Sequence, residues 1–276
     1  MRVIDYDRIE EWRPWLTAII EAIAPTSFLA TLRRSNPEYI EDARNQVVGM
    51  IGRDRLIEVL NRELDPYAVR VFHGTRVTLA ELEQISQQGL RALKLAHRRA
   101  PLVAIFSQHP GWSVAKEALL DEQLLRFGPG WETAGTGRRE DDSVHVCLSR
   151  AGLLLGCNHY LTHGAEVDHH IAHALFPDGS GLELLKRNRA AKLVSFTAPF
   201  AEAARAANPY GFPAHDLPAL LSLLIEAWAY KIARPAFSVA NERHSAALKF
   251  EAPIAADRLT IVNVDDSQLV EAEAAE

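Results

Sequence analysis

Val69-Arg70-Val71-Phe72-His73-Gly74-Thr75-Arg76 is the stretch that decides how this chain reads, with Thr78-Leu79-Ala80-Glu81-Leu82-Glu83-Gln84-Ile85 and Gly89-Leu90 behind it. Its β-branched and aromatic residues predict a strand over 68–73 that ends on His73. Thr78 with Glu81 three residues later is a capping box, so a helix is predicted over 78–88, and Gly89 fits its C′ position. The strand therefore brings a histidine and a hydroxyl to a tight turn, beside a glycine that lets a ligand approach the backbone.

On the N-terminal side, residues 1–66 read as a helical segment. Asp7 is placed to cap a helix with apolar positions Ile9, Trp12, Trp15, Leu16, Ile19, Ile20 and Ile23, and Pro14 falls inside that pattern as a bend or a second start. Asn36-Pro37 reads as an N-cap with proline at the first helical position, and a further helix is expected over 54–64. On the C-terminal side, Leu102-Val103-Ala104-Ile105-Phe106 is a strand candidate and a helix is expected from Ser113 to Arg126. The Gly-, Arg- and Asp-rich stretch 127–142 reads as a long loop of the binding or lid type. Strands are expected at 144–148, 191–197, 246–250 and 259–263, helices at 167–176, 180–187 and 215–232, a short apolar turn at Leu153-Leu154-Leu155-Gly156, and a frayed tail at 269–276. Short strands scattered among helices, without a βαβ rhythm, predict an α+β fold.

The 276 residues are 48% hydrophobic and 24% charged, ample for a core. A formal charge of −6 argues against a broad nucleic-acid surface. Two cysteines, Cys147 and Cys157, are too few for a disulfide scaffold and fit a reducing cytoplasm. The N-terminus shows no signal-peptide pattern, and no apolar run reaches membrane-spanning length, so no membrane partner is expected. The Gly-x-Gly-x-x-Gly and P-loop fingerprints are absent from the sequence.

A histidine ending a strand can donate to a ribose hydroxyl. The glycine beside it offers backbone groups to a planar amide such as nicotinamide, and the threonine can hold that amide. The plainer reading is a satisfied histidine at a strand corner with a local threonine turn. His159, His163, His169, His170 and His173 form a second cluster. His169 and His173 share a helix face and could bind a metal with Asp168 or Glu166, but the glutamate of the zincin motif is missing. Lys94, Arg98 and Arg99, and separately Arg138 and Arg139, are basic groups able to grip phosphates or simply to face solvent.

The His-Gly-Thr strand, the capped helix and Gly89-Leu90 resemble, in order and spacing, the first motif of the ADP-ribosyltransferase superfamily. That superfamily includes the poly(ADP-ribose) polymerases, diphtheria-like toxins and RNA 2′-phosphotransferases. The resemblance implies an ADP-ribosyltransferase-like domain over 67–268, a split β-sheet core with inserted helices. It implies that His73 and the Gly74 backbone hold the nicotinamide of NAD, used as a substrate, and its ribose, in a cleft that Thr75 shares, and that Tyr160 in Asn158-His159-Tyr160-Leu161-Thr162 stacks on the nicotinamide. The family also places a glutamate near a late strand to bond the ribose and stabilise the charge that develops as nicotinamide leaves. Here Glu242 is the first candidate for that role and Glu166 the second; the position expected from the strands, near Ser245 or Ala246, is not acidic. The implied activity is transfer of ADP-ribose to a protein or nucleic-acid acceptor. A non-catalytic nucleotide- or partner-binding module on the same fold, and a metal-dependent hydrolase using the 159–173 histidines, are the alternatives.

Overall fold

The structure, a computed structural model, describes residues 2–127, 143–156, 158–207, 217–241 and 246–269. The chain begins with β1 (Arg2–Ile4), α1 (Ile9–Glu21), α2 (Phe28–Arg34), α3 (Ile40–Ile51) and α4 (Arg53–Leu64). Then come β2 (Tyr67–Val77), α5 (Leu79–Gln88), α6 (Arg99–Phe106), α7 (Val114–Arg126), β3 (Val144–Cys147) and α8 (Arg150–Leu155). They are followed by α9 (His159–His163), α10 (Glu166–Leu175), α11 (Ser180–Asn188), β4 (Ala190–Pro199) and α12 (Phe200–Ala206). The described chain closes with α13 (Ala219–Ala233), β5 (Ala247–Phe250) and β6 (Thr260–Asn263). Helix and strand are mixed and the sheet is open and mainly antiparallel, so the fold is α+β. The strands hydrogen-bond in the order β5-β3-β2-β4-β6, with β1 on β2. No described helix is long and apolar enough to cross a membrane.

The chain divides into two compact units, one of Met1–Phe72, His145–Gly156 and Phe196–Lys249, the other of His73–Val144, Cys157–Ser195 and Phe250–Glu276. In the first, β1 pairs parallel with the start of β2, from Arg2 opposite Tyr67 to Ile4 opposite Val69. Around it α13 is the central helix, packed on α3 and α2. Its Trp228 is fully buried, stacks on Phe28 at 6.2 Å between ring centres and donates its indole N–H to Thr17 Oγ1 at 2.9 Å. An indole buried with its one donor satisfied contributes its apolar area without a polar penalty. Of the apolar positions its periodicity predicts, helix α1 buries Ile9, Trp12, Leu16 and Ile20, leaves Trp15 and Ile19 half-buried and ends before Ile23; it runs unbroken through Pro14 on its exposed side.

In the second unit, α6, α7, α10 and α11 enclose a core that includes Leu102, Phe106, Leu120, Ile171 and Leu185. Strand β4 pairs antiparallel with β6, from Lys192 opposite Asn263 to Ser195 opposite Thr260. The capping box forms as expected: Glu81 N donates to Thr78 Oγ1 at 3.2 Å and Thr78 N to Glu81 Oε2 at 2.8 Å. Gly89 closes α5 at φ +81°, where a Cβ would lie 2.0 Å from the Ile254 carbonyl oxygen, so no other residue fits.

Several local expectations are corrected. Strand β2 does not end on His73 but continues through Gly74, Thr75 and Arg76 to Val77, so His-Gly-Thr lies within a strand and not on a turn. The run 102–106 is helical: Leu102, Ile105 and Phe106 are buried while Ala104 is exposed, a helical and not a strand alternation. Asp7 does not cap α1, whose N-cap is Arg8. Its carboxylate instead accepts from Ser149 Oγ at 2.6 Å and Ala151 N at 2.9 Å, at the start of α8. That helix replaces the apolar turn expected at 153–156. Asn36 adopts φ +44° and α3 starts at Ile40 behind Tyr39, so Asn36-Pro37 precedes the helix instead of capping it.

Candidate functional site

The described candidates for the NAD site, His73, Gly74, Thr75, Tyr160 and Glu166, fall in the second unit, on β2, α9 and the start of α10. Along β2, His73 and Thr75 are half-buried, while Gly74 and Arg76, which alternate with them, are buried. Alternation along a strand puts Gly74 and Arg76 on one face and His73 and Thr75 on the other. The face carrying Gly74 and Arg76 meets α9. A Cβ on Gly74 would lie 3.0 Å from Leu161 Cγ, and Arg76 Nη1 donates to the Leu161 carbonyl at 3.1 Å. Arg76 also donates to the Lys186 carbonyl at 3.3 Å and holds Asp266 through both guanidinium ends, at 2.7 and 3.0 Å. Gly74 thus provides close approach for a neighbouring element within a strand.

Tyr160 lies on α9, which Gly164 terminates at φ +85°; a Cβ there would come within 3.0 Å of the Arg76 carbonyl oxygen. The Tyr160 hydroxyl donates to Glu166 Oε1 at 3.1 Å. His159 stacks obliquely on the Tyr160 ring at 4.0 Å between centres, with its Nε2 3.6 Å from the same Glu166 oxygen. Glu166 sits in the first turn of α10, where the helix dipole favours a carboxylate. The structure therefore joins two sequence candidates, Tyr160 and Glu166, in one hydrogen-bonded group, and sets the residue after Tyr160 against the His-Gly-Thr strand. Glu242, Arg138, Arg139 and Cys157 lie outside the described residues.

A charge network absent from the sequence reading supports this region. Asp168 on α10 has no exposed surface and accepts from both ends of Arg98, with Nε at 3.1 Å, and from Arg189 Nη1 at 2.7 Å. Arg98 Nη1 reaches Glu81 Oε1 at 2.5 Å, which ties the α5 capping box into the same group. Burial by itself would raise the Asp168 carboxyl, but Arg98 and Arg189 hold it below the ordinary carboxylate range. The same balance, with Arg98 foremost after burial, lowers Glu81. Arg98 and Arg99 are consequently not waiting for phosphate: Arg99 pairs with Asp121 at 2.6 Å and Glu117 at 2.8 Å. The sequence offers its members only separately, Glu81 in the capping box, Arg98 in a basic cluster and Asp168 as a possible metal ligand, with nothing in their spacing to pair them.

His163 and His169 stand with ring centres 4.9 Å apart. Burial first, and then mutual repulsion with neighbouring cationic groups, lowers both below the ordinary imidazole value. His170 stacks on Phe127 at 5.8 Å. Among the described residues no group of three or more His, Cys, Asp or Glu side chains is arranged to hold a metal ion. Compared with family models, curated proteins and solved structures, the chain matches none.

Proposed function

We propose that the second unit binds NAD and transfers ADP-ribose to a protein or nucleic-acid acceptor. The observation that carries the reading is the contact between β2 and α9. Two segments about 85 residues apart, each resembling a part of an ADP-ribosyltransferase site, are held together by the Arg76–Leu161 bond, with Gly74 against Leu161. In this reading His73 and Thr75 hold the ribose and amide, Gly74 supplies backbone groups, and Tyr160 stacks on the cationic nicotinamide ring. The C1′–N bond breaks with its electron pair passing to the pyridinium nitrogen. The oxocarbenium-like carbon is captured by an acceptor nucleophile that gives up its proton. Catalysis is positional and electrostatic, with Glu166 or Glu242 holding the ribose while positive charge develops.

One observation favours a non-catalytic binding module on the same elements: the Glu166 carboxylate already accepts from Tyr160 and lies beside His159. Incubation with nicotinamide-labelled NAD separates the readings. Binding with nicotinamide release that is lost in Glu166→Gln or Glu242→Gln supports transfer. Binding without release supports the module, and an unchanged NAD affinity in His73→Ala overturns the site itself.

A further inference from the structure

In the first unit, a cleft of about 460 Å³ is lined by Glu10 and Arg13 of α1, Arg33 of α2, Lys231 and Ile232 of α13, and Pro235 just beyond it. That volume is of small-molecule size. The polar side chains are unequally engaged. Lys231 Nζ is committed to Glu10 Oε1 at 3.0 Å and to the carbonyls of Pro235 and Phe237, each at 2.7 Å. Arg13 gives Nη2 to Glu10 Oε2 at 2.7 Å, but its buried Nε has no acceptor among the described residues. Arg33, exposed in the last turn of α2, makes no hydrogen bond or ion pair among the described residues. The hydrogen bond from Lys231, with the pairing to Arg13, keeps Glu10 below the ordinary carboxylate range. Glu10 is therefore ionised, and three cations against one carboxylate leave two positive charges in excess, on a chain whose formal charge is −6. Ile232, Ala233 and Pro235 form an apolar wall beside them.

We propose that this cleft is a binding site for a small phosphate monoester carried on an apolar body. Arg33 and Nη1 of Arg13, which makes no hydrogen bond among the described residues, grip the phosphate, and Ile232 and Pro235 pack against the body. A dianion matches the two excess charges, and the fork of a guanidinium matches phosphate oxygens. Lys231 contributes its field and fixes Glu10, since its protons are already committed. None of these residues belongs to the proposed NAD site, so either proposal stands or falls without the other.

Phenyl phosphate titrated into the full chain by calorimetry is the test, with benzyl alcohol as the uncharged control. Saturable one-to-one binding of phenyl phosphate is expected, weakened about tenfold or more in Arg33→Ala and in Arg13→Gln. Arg33 is exposed, so Arg33→Ala should keep the parent's denaturation midpoint, and His73→Ala should bind phenyl phosphate like the parent. The proposal is overturned by unchanged binding in Arg33→Ala, by equal affinity for benzyl alcohol, by loss of binding in His73→Ala, or by no saturable binding.

Discussion

Arg98 grips Asp168 from both ends of its guanidinium, although the two residues are 70 positions apart and Asp168 has no exposed surface. Arg189 completes the neutralisation with a side chain that has no exposed surface of its own. Such a group adds little net stability over an apolar core, but it is costly to break, because removing one member leaves a buried charge unpaired.

Asp168→Ala is therefore expected to destabilise the chain by about 3–5 kcal/mol, measured by urea denaturation at neutral pH. The folded Asp168 carboxyl titrates below its ordinary 3.8, so its contribution is fully present above that value and is lost as pH falls through the lower folded value. The stability gap between parent and Asp168→Asn should accordingly narrow below pH 3.8. A gap that stays constant there would remove the ion-pair account.

Gly74→Ala places a methyl 3.0 Å from Leu161 Cγ, in a position where Leu161 is itself fully buried. A cost of about 1–2 kcal/mol is expected. In a double-mutant cycle with Leu161→Ala the two changes should couple favourably by about 0.5 kcal/mol or more, since the smaller partner relieves the clash. Additive behaviour would mean that the strand and α9 do not press on one another.

Tyr160 offers both a ring and a hydroxyl, and the two can be separated. Tyr160→Phe removes the bond to Glu166 but keeps the face on which nicotinamide would stack, so NAD affinity should change by less than about threefold. Tyr160→Ala should lower it by about tenfold or more. Equal losses in both variants would assign the role to the hydroxyl instead.

His163 and His169 resist protonation in the folded chain. Their contribution to stability is intact above the ordinary imidazole value of 6.5 and is lost as pH falls through the lower folded values. The parent should lose stability on acidification below pH 6.5, and His163→Gln/His169→Gln should flatten that limb in a pH series of thermal melts.

Asp7 receives the Ala151 amide and the Ser149 hydroxyl, whose oxygen in turn accepts from Gly152 N at 2.8 Å. Asp7→Ala should cost about 1 kcal/mol and speed hydrogen exchange at Ala151 and Gly152, with the first-turn amides of α1 unaffected.

What was legible in the sequence was what neighbouring residues decide among themselves. The Thr78–Glu81 box, Gly89 at the end of α5, the Ser113 cap of α7 and the buried stripe of α1 involve partners within a few positions, so spacing alone specifies them. Tyr160 and Glu166, six residues apart, could be named as candidates, but not as hydrogen-bonded partners. The run 102–106 was ambiguous because a short apolar stretch suits a buried strand or a buried helix equally, and packing against α7 and α11 chose the helix. The continuation of β2 past His73 likewise involves distant partners: β2 pairs between β3 and β4, and α9 meets it at Gly74 and Arg76. Asp7 was available to two helix starts, and only the folded chain brought Ser149 and Ala151 to it. The sequence by itself determined the ends of α5, the start of α7, the amphipathic face of α1 and the α+β class, because these depend on local torsions and on periodicity. Tertiary structure decided which carboxylate each arginine would meet, because a buried charge takes whichever partner the fold brings within hydrogen-bond reach, however distant along the chain.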